Sequence, residues 1–195
     1  MVHQSIKKSL SPIKEDGPRF YLDSVVLHSP FRDLQDTLTV WKTLEQYHPH
    51  QIRNLGISNT SLSVLKALHS EATVKPAVVQ NRFHDRTGYE VELRDFCRSH
   101  GIVFQSFWTL SANPALARSP PVVEVAQDAG VPTVAAFYSL VLGLEGITVL
   151  DGTTSEVHMR DDLEGIEKVG LWAEGEGAKS WSSALATFKR LIGQI

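Results

Sequence analysis

Four polar residues stand directly after short apolar runs and could bind or orient a small molecule. They are His28, Ser58, Asn59 and Gln80. A histidine can accept, donate or transfer a proton near neutral pH, because its reference pKa is about 6.5. Hydroxyl and amide groups can hold a polar ligand group in one orientation. In a barrel of parallel strands the chemistry lies where the strands end, so these positions predict a site at that rim.

Strand-like and helix-like patterns alternate along the chain and would position these four residues. The five apolar, often β-branched runs that predict strands lie at about residues 21–28, 52–57, 76–80, 102–107 and 147–150. Between them, apolar residues recur at three- and four-residue steps, as Leu38, Trp41 and Leu44 do. This alternation predicts an α/β protein with a parallel sheet and helices on its outer face.

Capping residues indicate where several helices begin. Either Ser61 or Asn59 could cap the helix after the second strand. The segment 153–156, Thr-Thr-Ser-Glu, resembles a capping box. It would open a helix whose apolar positions are Met159, Leu163 and Ile166. One further helix is expected before the first strand, from Gln4 to Ile13.

Composition limits the class of protein. The 195 residues, 42% of them hydrophobic and 21% charged, predict a single globular domain over residues 1–195, or part of a larger one. A net charge of -3 gives no reason to expect a nucleic-acid or acidic-membrane partner. With no signal-like N-terminus and no apolar run of about 18 residues, a cytoplasmic protein is expected. The single cysteine, Cys97, excludes an intrachain disulfide and a cysteine-based zinc cluster.

In this order and spacing, the strand-end motifs resemble the aldo-keto reductase superfamily over nearly the whole chain. The segment 21–30 is similar to the family strand Tyr-hydrophobic-Asp-x-hydrophobic-x-hydrophobic-His-x-Pro, which places His28 on the active-site histidine. The Gly-hydrophobic-Ser-Asn motif corresponds to Gly56 through Asn59. The resemblance implies a (β/α)₈ barrel that binds NADPH, or less often NADH, and reduces a small aldehyde or ketone to an alcohol.

The resemblance also implies which residues hold the cofactor. Ser58, Asn59 and Gln80 would contact the nicotinamide carboxamide, and Phe107 would stack on the ring. The residues that would meet the diphosphate and the adenosine end are Trp108, Leu110, Gly152, Thr153, His158 and Asp162.

The adenosine end departs from the family pattern. Gly152 and His158 stand where the family commonly has a lysine and an arginine, and Asp162 replaces a frequent asparagine. His158 or Arg160 could still meet a phosphate. NADP is therefore the cofactor implied by the family, and NAD is the alternative.

The larger departure is at the front of the chain. A family member normally carries three strands before the histidine strand, and they hold an aspartate, the proton-donating tyrosine and a lysine. Only about 20 residues precede Tyr21, so these three groups have no counterparts and His28 alone represents the catalytic tetrad. We therefore expect a partial (β/α)₈ TIM barrel of about five parallel strands, with the first three strands missing and open edges that favour self-association.

Two functions follow from this sequence. The first is an NAD(P)H-dependent reductase of a small carbonyl compound, in a biosynthetic pathway or outside one. Its activity is expected to be impaired, because the aspartate, tyrosine and lysine of the tetrad have no counterparts. The second is a non-catalytic binding or regulatory protein that keeps a site for the nicotinamide half of the cofactor or an interaction surface. Three explanations are open for the absence of the first three barrel strands. The chain is a truncated or mispredicted gene product, a decayed copy, or a short protein that pairs with another chain.

Overall fold

The structure is a computed structural model that describes residues 2–10 and 21–195. The chain divides into two compact units. The first unit is Met1–Asn81 with Ser99–Val103, and the second is Arg82–Arg98 with Phe104–Ile195. The single domain expected from the length stays a prediction, because compact units of this kind can also be parts of one domain.

Strands and helices alternate in the described residues as the sequence predicts. The strands are β1 (Leu22–Leu27), β2 (Ile52–Ser58), β3 (Val78–Arg82), β4 (Val103–Phe107) and β5 (Ile147–Val149). The helices are α1 (Val2–Leu10), α2 (Leu34–Glu45), α3 (Leu62–Glu71), α4 (Val91–Ser99), α5 (Pro120–Ala129), α6 (Thr133–Leu142), α7 (Glu156–Glu174) and α8 (Ala178–Leu191). Short 3₁₀ helices lie at Asp85–Glu90 and Leu116–Arg118. Each of the five predicted strands is confirmed to within about two residues.

The first unit contains three parallel strands whose register aligns their carboxyl ends. Strand β1 pairs with β2, so that Leu27 lies opposite Ile57. Strand β2 pairs with β3, so that Ser58 lies opposite Gln80. Gly56 allows the close approach of β2 and β3, because a β-carbon there would lie 2.8 Å from the carbonyl oxygen of Val78.

Helix α2 supplies a large part of the core of the first unit. Leu38, Trp41 and Leu44 are buried on one face, as their spacing predicts. The indole N–H of Trp41 donates to the carbonyl oxygen of Val74 at 2.9 Å. This hydrogen bond satisfies the polar atom of a fully buried aromatic side chain.

The second unit is built around helix α6, which is buried from Ala135 to Val141. Strands β4 and β5 are parallel there, with Phe104 opposite Ile147. A helix that is apolar on all sides is expected to be surrounded by other elements, and α5, α7 and β5 all contact α6.

The described residues contain no single helix that is both long and apolar enough to cross a bilayer. Helices α5 and α6 meet that requirement only as a pair, with a bend of 111° between them.

Of the two caps that the sequence offered for α3, the side chain of Ser61 is the one that accepts a hydrogen bond there. At α7 the expectation is wrong, because Ser155 and not Thr153 caps the helix. Helix α1 is described over Val2–Leu10, and its expected continuation to residue 13 lies outside the described residues.

The apolar face expected for α7 does not form its buried side. Leu163 is 69% exposed, whereas Gly165 and Val169 are buried. A β-carbon on Gly165 would lie 2.5 Å from the β-carbon of Ala135 on α6. Backbone proximity at this glycine, rather than the larger apolar side chains, therefore sets the face that α7 turns towards α6.

A glycine pair on α7 tests this packing. Gly165→Ala is expected to lower the free energy of unfolding by about 1–3 kcal/mol, because the new methyl group overpacks the contact with Ala135. Gly170→Ala is the matched control, since a β-carbon at that position would have no neighbouring atom within 4 Å, and it should stabilise the helix by about 0.5–1 kcal/mol. Urea unfolding measures both. Equal stability of the two variants would contradict the close contact.

Candidate functional site

In the first unit, the four predicted residues lie together at the carboxyl ends of β1, β2 and β3. Ser58 is 2% exposed, and its hydroxyl donates to the carbonyl oxygen of Gln80 at 2.7 Å. The amide nitrogen of Asn59 donates to the carbonyl oxygen of His28 at 2.9 Å and to the Ser58 hydroxyl oxygen at 3.1 Å. These contacts connect the ends of all three strands. The side chain of His28 is exposed.

The turn after β2 is fixed from both sides. Asn59 has a φ of 52°, in the left-handed region that asparagine tolerates better than most residues. Next to it, the side-chain amide of Asn81 donates to the Thr60 carbonyl oxygen at 2.7 Å and accepts from the Thr60 N–H at 3.1 Å. Asn81 directly follows Gln80, and sequence analysis did not identify it as a support for the site. The available signal was that Asn81 is an amide side chain next to an apolar strand-like run, because a buried amide must find hydrogen-bond partners.

In the second unit, the end of β4 carries two aromatic residues and a nearby cation. Phe107 is partly buried and Trp108 is 55% exposed, with a φ of 57°. The guanidinium carbon of Arg82 lies 4.7 Å from the centre of the Trp108 ring and 5.8 Å from that of Phe107. These distances are those of a cation–π contact.

The loop after β4 is anchored from beneath. Asn113 is 4% exposed, and its amide donates to the carbonyl oxygens of Phe83 and of Thr109, the latter at 2.8 Å. The hydroxyl groups of Thr109 and Ser106 lie 2.8 Å apart. The exposed Trp108 is therefore followed by a loop that these hydrogen bonds hold to the end of β4 and to Phe83.

A cavity of about 660 Å³ lies within the second unit, beside this loop. Six of the predicted cofactor residues line it, namely Trp108, Leu110, Gly152, Thr153, His158 and Asp162. Phe107, also predicted, does not line it. The structure thus brings together residues from the loop after β4 and from the segment that opens α7.

The carboxylates that line this cavity give it an acidic character. Asp151, Asp161 and Asp162 all contribute to its lining, and His158 is the residue of basic type. Burial raises the pKa of Asp162, and the nearby Asp151 carboxylate raises it further. The Tyr138 hydroxyl donates to an Asp151 oxygen at 3.3 Å. Burial of the Tyr138 hydroxyl is the larger cause of its raised pKa, and the nearby Asp151 carboxylate is the second.

Sequence analysis missed three polar residues of the cavity, Tyr138, Asp151 and Asp161. Asp151 directly follows β5 and precedes Gly152, so the strand-end rule that identified His28 could have found it. Tyr138 lies in an almost wholly apolar helix, where the need of a buried hydroxyl for a partner was the only signal. Within the residues that the structure describes, no group of three or more His, Cys, Asp or Glu side chains could hold a metal ion.

Comparisons with known proteins place this arrangement in a family. The family model described as Aldo/keto reductase family matches residues 1–119. The chain therefore belongs to the aldo/keto reductase family.

Two curated relatives are similar to parts of the chain. Glyoxal reductase of Bacillus subtilis is 36% identical over 105 residues, which are 53% of this chain and 35% of that protein. D-galacturonate reductase of Fragaria ananassa is 28% identical over 187 residues, covering 84% of this chain and 56% of the relative. The chain thus spans between about a third and somewhat over half of the length of these relatives.

Solved structures show the fold. An aldo/keto reductase from Brucella melitensis matches 85% of this chain with a TM-score of 0.70 and 18% sequence identity. The match covers 62% of the solved chain. The strands and helices described above are therefore part of a (β/α)₈ barrel, as expected from the sequence.

Substitution at Asn59 tests the left-handed turn. Asn59→Gly and Asn59→Ala both remove the hydrogen bonds to His28 and Ser58. Only alanine also strains the backbone, since an L-residue with a side chain pays about 1–2 kcal/mol in this region. We expect both variants to be less stable than the parent and Asn59→Ala to be the less stable of the two, by about 1 kcal/mol, in thermal or urea unfolding. An alanine variant at least as stable as the glycine variant would contradict the positive φ.

The raised pKa of Asp162 predicts a pH-dependent effect. The folded chain binds a proton there more tightly than the unfolded chain, so the stability from this group is fully present below its unfolded pKa of about 3.9 and is lost as the pH rises through the higher folded value. Asp162→Asn should therefore increase the free energy of unfolding at pH 7, and the gain should vanish near pH 3. The control is Glu164→Gln on the same helix, at an exposed position outside the cavity lining. A gain that is constant with pH would show that the ionisation of Asp162 is not its cause.

Proposed function

We propose that this chain carries the carbonyl- and nicotinamide-binding part of an oxidoreductase that reduces a small aldehyde or ketone to an alcohol. The observation that supports this most directly is the cluster of His28, Ser58, Asn59 and Gln80 at aligned strand ends in a member of the aldo/keto reductase family. The names of the two relatives, a glyoxal reductase and a galacturonate reductase, agree with carbonyl reduction.

The nicotinamide end fits the residues of the first unit. A carboxamide has one acceptor oxygen and one donor NH₂ group, and the side-chain oxygens of Ser58 and Asn59 are acceptors for that NH₂ group. Gln80 adds a second side-chain amide. Their hydrogen bonds to the ends of β1 and β3 hold Ser58 and Asn59 in place before a ligand arrives, which lowers the entropy cost of binding.

His28 is the proposed residue for the carbonyl substrate. A nicotinamide dinucleotide, when bound, would supply the hydride that adds to the carbonyl carbon, and solvent water would supply the proton that completes the alcohol. The imidazole of His28 is exposed at the end of β1 and can donate a hydrogen bond to the carbonyl oxygen. This bond orients the carbonyl and stabilises the negative charge that develops on its oxygen.

The remaining predicted contacts belong to the second unit. Phe107 presents an aromatic ring for stacking, and Trp108 and Leu110 belong to the loop proposed for the diphosphate. Proteins similar to this chain include one named as NADPH-dependent and one solved in complex with NADPH. A nicotinamide dinucleotide is therefore the proposed cofactor, and its adenosine end is assigned to the cavity of the second unit.

The role of His28 is tested by His28→Ala in the 195-residue chain. We expect this variant to bind NADH or NADPH as the parent does and to reduce carbonyl compounds at least about 100-fold more slowly, because the donor to the carbonyl oxygen is lost. Tryptophan fluorescence measures binding, and the loss of reduced cofactor with a panel of aldehydes and ketones measures turnover. His50→Ala is the control, since His50 is exposed and lies in the turn before β2.

Each outcome decides between functions. Turnover that depends on His28 supports the reductase. Dinucleotide binding with no turnover on any carbonyl compound contradicts it for this chain and supports a non-catalytic binding protein. Absence of binding contradicts both.

A further inference from the structure

The charge of the cavity in the second unit does not match a phosphate ligand. A phosphate monoester carries about −1.5 to −2 charges at pH 7 and is normally held by Arg, Lys or backbone N–H groups. The lining contains three aspartates, one histidine and neither lysine nor arginine. A dianion placed there would meet Asp151, Asp161 and Asp162 and would be repelled by them.

The arginine and the lysine of α7, Arg160 and Lys168, lie outside the lining of the cavity. Arg160 lies on α7 between His158 and Asp162 but does not line the cavity, and its guanidinium is 2.8 Å from the Glu156 carboxylate. The ammonium group of Lys168 donates to the Gly130 carbonyl oxygen at 2.8 Å. Neither Arg160, the alternative cation that the sequence offered, nor Lys168 lines the cavity, so neither places a positive charge among its carboxylates.

Backbone N–H groups at the start of α7 are also partly occupied. The N–H of Thr153 donates to Asp151 at 3.2 Å, that of Ser155 to the Thr153 hydroxyl at 3.1 Å, and that of His158 to the Ser155 hydroxyl at 3.4 Å. A helix N-terminus can bind an anion when its N–H groups are free. Here the Ser155 hydroxyl accepts from the N–H of His158 in the first turn of α7, and the other two hydrogen bonds lie in the segment just before the helix.

The cavity suits a nucleoside with free hydroxyl groups. Carboxylates accept hydrogen bonds from ribose hydroxyls, which is how acidic residues recognise the adenosine ribose in other dinucleotide sites. Val134, Leu150, Pro132 and the exposed indole of Trp108 supply apolar lining for a base. Its volume of about 660 Å³ lies in the range of small-molecule sites, about 300–1,000 Å³.

We infer that the cavity accepts the adenosine end of a dinucleotide whose ribose 2′-hydroxyl is free, so that the chain binds NADH in preference to NADPH. This inference rests on the proposed function, because it takes the cavity as the adenosine part of the cofactor site. It reverses the preference that the family resemblance implies. Asp151, Asp161 and Asp162 are the residues that determine the specificity.

The test compares NADH and NADPH on the intact 195-residue chain by calorimetry and by tryptophan fluorescence. The dissociation constant for NADH is expected to be at least about tenfold lower than that for NADPH, a difference of about 1.4 kcal/mol. Adenosine and adenosine 2′-monophosphate, which differ only by the 2′-phosphate, should show the same order. Trp108→Phe should remove most of the fluorescence change if the ligand occupies this cavity.

The double variant Asp161→Asn with Asp162→Asn removes two charges with little change in shape. It should improve NADPH binding about tenfold and change NADH binding by less than about threefold, because asparagine still accepts a hydrogen bond from a hydroxyl group. Glu164→Gln removes one charge from the same helix outside the lining and should change neither constant.

The outcomes separate this inference from the proposed function. Tighter binding of NADPH than of NADH, or an unchanged ratio in the double variant, overturns the inference and leaves the reductase proposal in place. Failure of both dinucleotides to bind overturns both.

Discussion

Carbonyl groups at the ends of parallel strands need hydrogen-bond donors, and the site depends on how this chain supplies them. Ser58 and Asn59 donate to the backbone of Gln80 and His28 in the first unit. In the second unit, Asn113 donates to the carbonyl of Phe83. A buried polar group without a partner costs about 1–3 kcal/mol. The side chains proposed to hold the nicotinamide are therefore also the side chains that hold the strand ends together, and stability and binding cannot be separated at these positions.

Backbone geometry adds a second constraint at the strand ends. Asn59 and Trp108 both have positive φ values directly after β2 and β4. Residues of this kind persist only where the surroundings hold them, and they are frequent at functional sites. Hydrogen bonds to neighbouring strands hold Asn59, and the anchored loop below Trp108 holds that residue. In each case the backbone turns at this residue and leaves the direction of the strand. The side chain of the turning residue therefore lies at the end of the strand.

The acidic cavity depends on a different kind of contact. Helix α7 carries His158, Asp161 and Asp162, and the close approach of Gly165 to Ala135 sets its position against α6. Burial and Asp151 together make ionisation of Asp162 less favourable, as its raised pKa indicates. Groups with shifted pKa values are often found where a ligand binds. A ligand hydroxyl that donates to these carboxylates would compensate part of that unfavourable charge.

The sequence by itself determined the strands, most helices and the residues at the strand ends. These features depend on local patterns, such as the helical spacing of Leu38, Trp41 and Leu44, and on motifs in a fixed order. Only the tertiary structure decided that Ser155 rather than Thr153 caps α7, and that Leu163 faces solvent. It also decided that Tyr138 meets Asp151 and that three aspartates line one cavity. The physical reason is that charge balance and close packing depend on residues that are separated in sequence and meet only after folding.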